Sequence, residues 1–278
     1  MENGRLKALF KLLTTENEAY APALRQEIAA AIRHNPTAVR TALEEEFLAT
    51  PPLPVVQALE EIFWDDLAQD FSLFSAKINP DLEEGLVLLS KFTDPSLTRQ
   101  ALSRSLDDTA RPLRPILLNT TSYVGIAQAM SRYFFQTLGL HTLPLQANIK
   151  DISFARFLRK GRGSSLCVAC LYTMIGTRYG LDMNIVDLAG RILVHLQDLP
   201  SQQSFFIDPL DSGKILWHSD CRQYLSSRQI TWNDAFTTPL SSRQIVRRFI
   251  ANMIFVLNKI QDTRRLAYLR TYLEIIKN

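Results

Sequence analysis

Between Gly163 and Gly180 the chain reads Gly-Ser-Ser-Leu-Cys-Val-Ala-Cys-Leu-Tyr-Thr-Met-Ile-Gly-Thr-Arg-Tyr-Gly, and Arg178 is its single charged side chain. The pattern predicts a helix over 163–179. Ser164 or Ser165 can accept from the first free N–H groups, Arg178 places a cation at the negative helix end, and Gly180 supplies a left-handed stop. A helix that is apolar on every side must be covered on every side, so this one should run through the middle of a domain. The segments that follow, 183–188, 191–196 and 204–208, are short and rich in Ile, Val, Leu and Phe. Ala189-Gly190 and a polar loop over 198–203 separate them, so they read as strands of a small antiparallel sheet.

The N-terminal part reads as helix. Leu6, Leu9, Phe10 and Leu13 form one apolar stripe, Leu24, Ile28, Ala31 and Ile32 a second, Val39, Leu43 and Phe47 a third, and Val56, Leu59, Phe63 and Leu67 a fourth. Pro36 and the Pro51-Pro52-Leu53-Pro54 cluster punctuate them. The stripes have a HEAT-like look without a clean period, and serve either to cover the core or to bind a partner. A helix beginning near Asp81, with Asn79 as its cap and Pro80 after it, is expected to stop before Pro95. Further helices are expected over 97–114, 122–138 and 218–226. Val246, Phe249, Ile250, Met253, Ile254 and Leu257 make a strong amphipathic face, and 263–276 adds a partner helix. Three segments result: residues 1–75 helical, 76–235 the core, and 236–278 a closing helix pair.

Several short runs then converge on one family. They are Arg159-Lys160-Gly161-Arg162-Gly163, Cys170-Leu171-Tyr172, Arg178-Tyr179-Gly180-Leu181, Ala189-Gly190-Arg191-Ile192-Leu193-Val194-His195 and Phe206-Ile207-Asp208-Pro209-Leu210. Together they resemble the transglutaminase-like superfamily over about residues 79–276. The similarity is to a bacterial branch, the SirB-type regulators, with a helical N-terminal segment and tetratricopeptide-like C-terminal helices. The resemblance implies an α+β fold, mostly helical, with a papain-like core of one central helix packed on a small antiparallel sheet.

A thiol site of that type needs a thiolate at a helix N-terminus, a His on a neighbouring strand as base, and an acid orienting the His. The resemblance puts the nucleophile position at Ser165, not at a cysteine. Cys167 lies two residues on, rotated roughly 200° about the axis at about 100° per residue. The strand position of the His carries Arg191, which stays protonated and cannot act as base. His195 shares its strand face but stands about 13 Å along at about 3.3 Å per residue. Asp208 stands where the family's acid stands. The residues therefore favour a helix cap at Ser165, buried small hydrophobes at Cys167 and Cys170, an ion pair between Arg191 and Asp208, and a surface strand residue at His195. Without an imidazole beside it, Cys167 is expected to titrate near the ordinary value of about 8.5.

The expected function is accordingly non-catalytic, through binding or regulating another protein. One rival is a cysteine-type peptidase, amidase or acyl transferase using Cys167 with Asp208 and a base that the sequence does not reveal. Another is a zinc protein, because Cys167 and Cys170 with His218 and Cys221 have ligand-like spacing. No cofactor is implied. A formal charge of +3 over 278 residues, with no basic cluster interleaved with aromatics, argues against nucleic acid. The longest uncharged apolar run, 166–176, is short of the roughly twenty residues a bilayer needs. The N-terminus does not resemble a signal peptide, and three cysteines fit a reducing compartment, so the expected location is the cytoplasm.

Overall fold

The computed structural model describes residues 2–13, 21–47, 51–143, 148–198 and 203–276. Helices α1 (Glu2–Leu13), α2 (Ala21–His34), α3 (Pro36–Phe47) and α4 (Leu53–Ala76) follow the stripes and proline breaks of the sequence. Pro52 caps α4 and Pro54 sits in its first turn, where the missing N–H removes no helical bond. Leu6, Leu9, Phe10, Ile28, Val39, Ala42 and Ile62 close a small apolar cluster among these helices. From the very next residue of α4 onward, Phe63, Trp64, Leu67, Phe71 and Phe74 enter a larger cluster that extends to Ile276. Helix α4 thus holds both cores together.

Helix α5 (Leu82–Lys91) is capped by Asp81 in place of the expected Asn79, and the carboxylate accepts the Glu83 N–H at 3.1 Å. Asp81 has the extended backbone of a cap, and its side chain is close enough to reach the free amides. The helix expected over 97–114 is divided. Thr98 caps α6 (Arg99–Ala110), Pro112 lies in a 3₁₀ turn over Arg111–Leu113, and α7 (Arg114–Leu118) follows. Helix α8 (Tyr123–Ser131), capped by Ser122, passes into a π-helical turn over Arg132–Thr137. Strand β1 (His141–Thr142), a 3₁₀ turn over Ile149–Ile152 and α9 (Phe154–Lys160) lead to β2 (Arg162–Gly163), which pairs in parallel with β1.

Helix α10 (Ser165–Arg178) is the expected central helix, with Ser164 as cap and Gly180 at φ +70° beyond its end. Arg178 pairs with Asp107 at 2.7 Å and with Glu83 at 3.2 Å, tying the helix end to α6 and α5. It packs on an antiparallel sheet in the order β3 (Met183–Leu188), β4 (Arg191–Asp198), β5 (Gln203–Asp208), β6 (Lys214–Leu216). The approach to β3 is close at Gly176, where an added Cβ would press on the Met183 side chain. The β3–β4 hairpin turns through Ala189 and Gly190, both at positive φ, as a two-residue turn of this hand requires. Arg248 clamps it by pairing with Asp187 and donating to the Gly190 carbonyl at 3.1 Å.

Helix α11 (His218–Ser226) covers the far side of the sheet. Helices α12 (Ser242–Lys259) and α13 (Thr263–Ile275) then return to α5 and α4, and their apolar faces join the main cluster. Ser241 and Gln244 form the capping box that starts α12. The fold is α+β and mostly helical, with one central helix packed on a small antiparallel sheet. Among the described residues no helix is long and apolar enough to cross a membrane.

Gly213 joins the sheet to the helices beneath it. It holds φ +77°, its carbonyl lies 3.0 Å from Ser131 Oγ, and the Tyr172 hydroxyl donates to that Oγ at 2.8 Å. Gly213→Ala would add left-handed strain and drive a methyl into both hydroxyls. We expect a loss of about 3 kcal/mol in urea unfolding, on the order of combined strain and overpacking. A loss below about 1 kcal/mol would contradict this tight junction.

Candidate functional site

The N-terminal turn of α10 is set by Ser164, whose hydroxyl accepts the Cys167 N–H at 3.4 Å. Ser165, expected at the nucleophile position, is the first residue of the helix and is half-buried. Cys167 is fully buried. Its thiol donates to the Ile152 carbonyl at 3.6 Å and receives the Ser164 hydroxyl at 3.5 Å. Burial in the apolar core pushes its pKa up to about 11 despite the lowering effect of the Ser164 hydrogen bonds. The expectation of an ordinary thiol near 8.5 is therefore corrected: the dipole and cap favour the thiolate, but desolvation outweighs them. Cys170, one turn on and also fully buried, is raised well above the ordinary thiol value by burial first and then by Cys167.

The strand side is decided by which face each residue takes. Met183, Ile185, Ile192, Val194, Leu196, Phe205 and Ile207 belong to the cluster that contains α10. Val186, Leu188, Leu193 and Phe206 belong to another, with Cys221 and Leu225 of α11. Side chains alternate along a strand, so Arg191 and His195 share the face of Leu193, and Asp208 that of Phe206. These three residues lie on the side of the sheet away from α10. Cys167 and Asp208 thus face different clusters across the sheet, an arrangement that does not favour the rival thiol site built on that pair.

On that far face Arg191 donates to Asp208, whose other oxygen accepts the Leu210 N–H at 2.9 Å. Asp208 is 0 % exposed. The Arg191 guanidinium also lies 4.9 Å from the centre of the Tyr224 ring, on which Arg228 stacks at 4.6 Å. Arg191 Nε is buried without a hydrogen-bond partner, so the pair is positioned by its carboxylate and its ring contact. Cys221 stands close enough to feel both charges. Burial first, then Asp220, push its thiol up to about 12, with Arg191 opposing and Asp208 adding. Tyr224 and Cys221 are members of this centre that the sequence pattern did not assign to it. Their signal was only a helical spacing of three.

His195, expected as a surface strand residue, is half-buried. It stacks on Phe206 at 5.0 Å, and its Nε2 is buried without a hydrogen-bond partner. His218 meets the same Phe206 ring edge-on at 5.0 Å and lies 2.9 Å from Ser204 Oγ through its Nε2. The zinc set does not assemble either. Cys167 and Cys170 are in the α10 core, His218 and Cys221 are on the other side of the sheet, and among the described residues no group of three or more His, Cys, Asp or Glu side chains is placed to hold a metal ion.

A buried central helix packed on a small antiparallel sheet is the arrangement expected of a transglutaminase-like core. Residues 100–251, more than half of the chain, match the family model of the transglutaminase-like superfamily, and the chain belongs to that superfamily. No curated protein and no solved structure matches it.

Removing Arg191 would leave the Asp208 carboxylate buried and unpaired. Arg191→Ala should therefore cost about 3 kcal/mol of unfolding free energy in urea, the scale of breaking one side of a buried pair. Restoring neutrality with Asp208→Asn in the same chain should recover part of the loss. A single variant as stable as the parent would show that the pair is not structural.

The two histidines give a pH dependence with a definite sign. Burial holds both below the ordinary 6.5, helped at His195 by His218 and at His218 by Arg222, while Asp182 pulls His195 the other way. The unfolded chain then takes up protons first as pH falls, so their contribution is intact above 6.5 and is lost progressively below it. Urea midpoints at about pH 7.5 and about pH 5.5 should show this drop, and His195→Gln should make it smaller. An identical drop in the variant would remove His195 as a source.

Proposed function

We propose that this protein works without catalysis, by binding or regulating another protein through a transglutaminase-like fold that no longer carries a base. One observation carries this reading. Arg191, a permanent cation at the position where the sequence resemblance puts the family's His, is paired with the buried Asp208. The burial of Cys167 and its pKa near 11 support it further, since a nucleophile must be both ionised and reachable. The packing of α12 and α13 as an adjacent antiparallel pair supports the finer placement in the SirB-type regulator branch with tetratricopeptide-like helices. The proposed partner is a protein, not nucleic acid or a membrane. Three buried cysteines, all free thiols, favour a cytoplasmic setting.

Iodoacetamide labelling with mass-spectrometric readout tests the reading directly. In the folded protein near neutral pH, Cys167 should remain unmodified over times that label a free thiol, and should react once the chain is unfolded in urea. Arg191→His should leave Cys167 equally unreactive, because the sheet separates the two positions. Rapid, selective labelling of Cys167 in either folded protein would return the site to the thiol enzymes.

A further inference from the structure

A cavity of about 370 Å³ opens at the seam between the two apolar clusters. Its walls are Val39 and Leu43 of α3, Leu59 and Phe63 of α4, and Phe92 and Ile149 from the main core. Apolar side chains facing an empty space forfeit the dispersion contacts that the rest of the interior makes, so such a wall is completed by whatever apolar group enters it. The size falls at the lower end of the ~300–1,000 Å³ that ligand pockets occupy. This suits a medium-length aliphatic chain or a small aryl group, and it is too small for a folded element.

The rim settles the sign of the head group. Its carboxylates are already engaged: Glu60 pairs with Arg264 and Arg265, and Asp94 accepts from Ser96 at 2.7 Å and from Arg159 at 3.3 Å. Arg40 reaches Glu44 on its own helix at 3.4 Å. Lys150 is different. It is exposed at the mouth, its backbone N–H is fixed by Asn148 at 3.0 Å, and its ammonium makes no ion pair among the described residues. An apolar cavity with one uncommitted cation at its opening is complementary to an amphipathic anion.

We propose that this cavity binds an aliphatic or aryl carboxylate, with its apolar part among Leu43, Leu59, Phe63 and Phe92 and its carboxylate on the Lys150 ammonium. The site is remote from the Arg191–Asp208 centre and does not depend on whether that centre is catalytic.

Isothermal titration calorimetry of the full chain with decanoate tests it, with decyltrimethylammonium as the cation of matched chain length. Saturable binding of decanoate is expected, with the cation weaker. Lys150→Ala should weaken decanoate about tenfold, the loss of one charge-assisted contact at a partly exposed site. Leu43→Trp should fill the cavity and abolish binding while the circular-dichroism melt stays that of a folded protein. If that variant does not fold, Val56→Phe, on the same wall, serves the same purpose. No saturable decanoate binding in the millimolar range, undiminished binding in a folded cavity-filled variant, or a cation that binds as tightly as decanoate would each overturn the assignment.

Discussion

The burial of α10 is the constraint from which the rest of the structure follows. From Leu166 to Tyr172 every side chain is buried, so no face of that stretch is left to water. Strands β3 and β4 cover one side, α6 and the turn after β5 cover others, and the fold is in effect the set of elements needed to complete the coat. The hydroxyl that closes this stretch is satisfied internally. Tyr172, fully buried, donates to Ser131, which lies in turn within reach of the Ala127 and Gly213 carbonyls. A buried hydroxyl left without such a partner would cost about as much as a lost hydrogen bond with its desolvation, roughly 1–3 kcal/mol.

The outer helices are attached by a second kind of interaction, arginines that reach across sequence to backbone carbonyls and carboxylates. Arg243 donates to the Ser75 carbonyl at 3.2 Å and to that of Lys77, Arg264 donates to the Gln57 carbonyl at 3.2 Å and pairs with Glu60, and Arg248 clamps the hairpin. These groups are partly exposed, so each contributes modestly beside the apolar burial beneath them. Their effect is on register. They fix how α12 and α13 lie on α4, with Tyr272 seated in the core and its hydroxyl on the Trp64 carbonyl at 2.7 Å.

The same two principles explain the character of the site. A thiol at the start of a wholly buried helix gains from the helix dipole but loses more by leaving water, so Cys167 is driven toward the neutral form. An acid enclosed beneath the sheet cannot stay charged alone, and Arg191 supplies the compensating charge from the adjacent strand. Cys167 and Asp208 are two separate structural solutions on opposite faces of one sheet.

The existence of the central helix, its cap and stop, the three main strands and the C-terminal helix pair were legible because each has a local cause: a charge-free run, Ser164, Gly180, β-branched segments and a 3.6-residue stripe. The short β6, the split at Pro112 and the π-helical turn were not, since they depend on what packs against them. Nor was the facing of the strands. Both sides of β4 are buried, so Ile192-Leu193-Val194 shows no alternation of apolar and polar residues from which to tell one face from the other. The sequence by itself determined that position 191 carries a permanent cation and position 208 a carboxylate able to pair with it. Only the tertiary structure decided that Cys167 lies across the sheet from both, because register turns a strand's side chains to one core or the other, and register is fixed by partners far away in the chain.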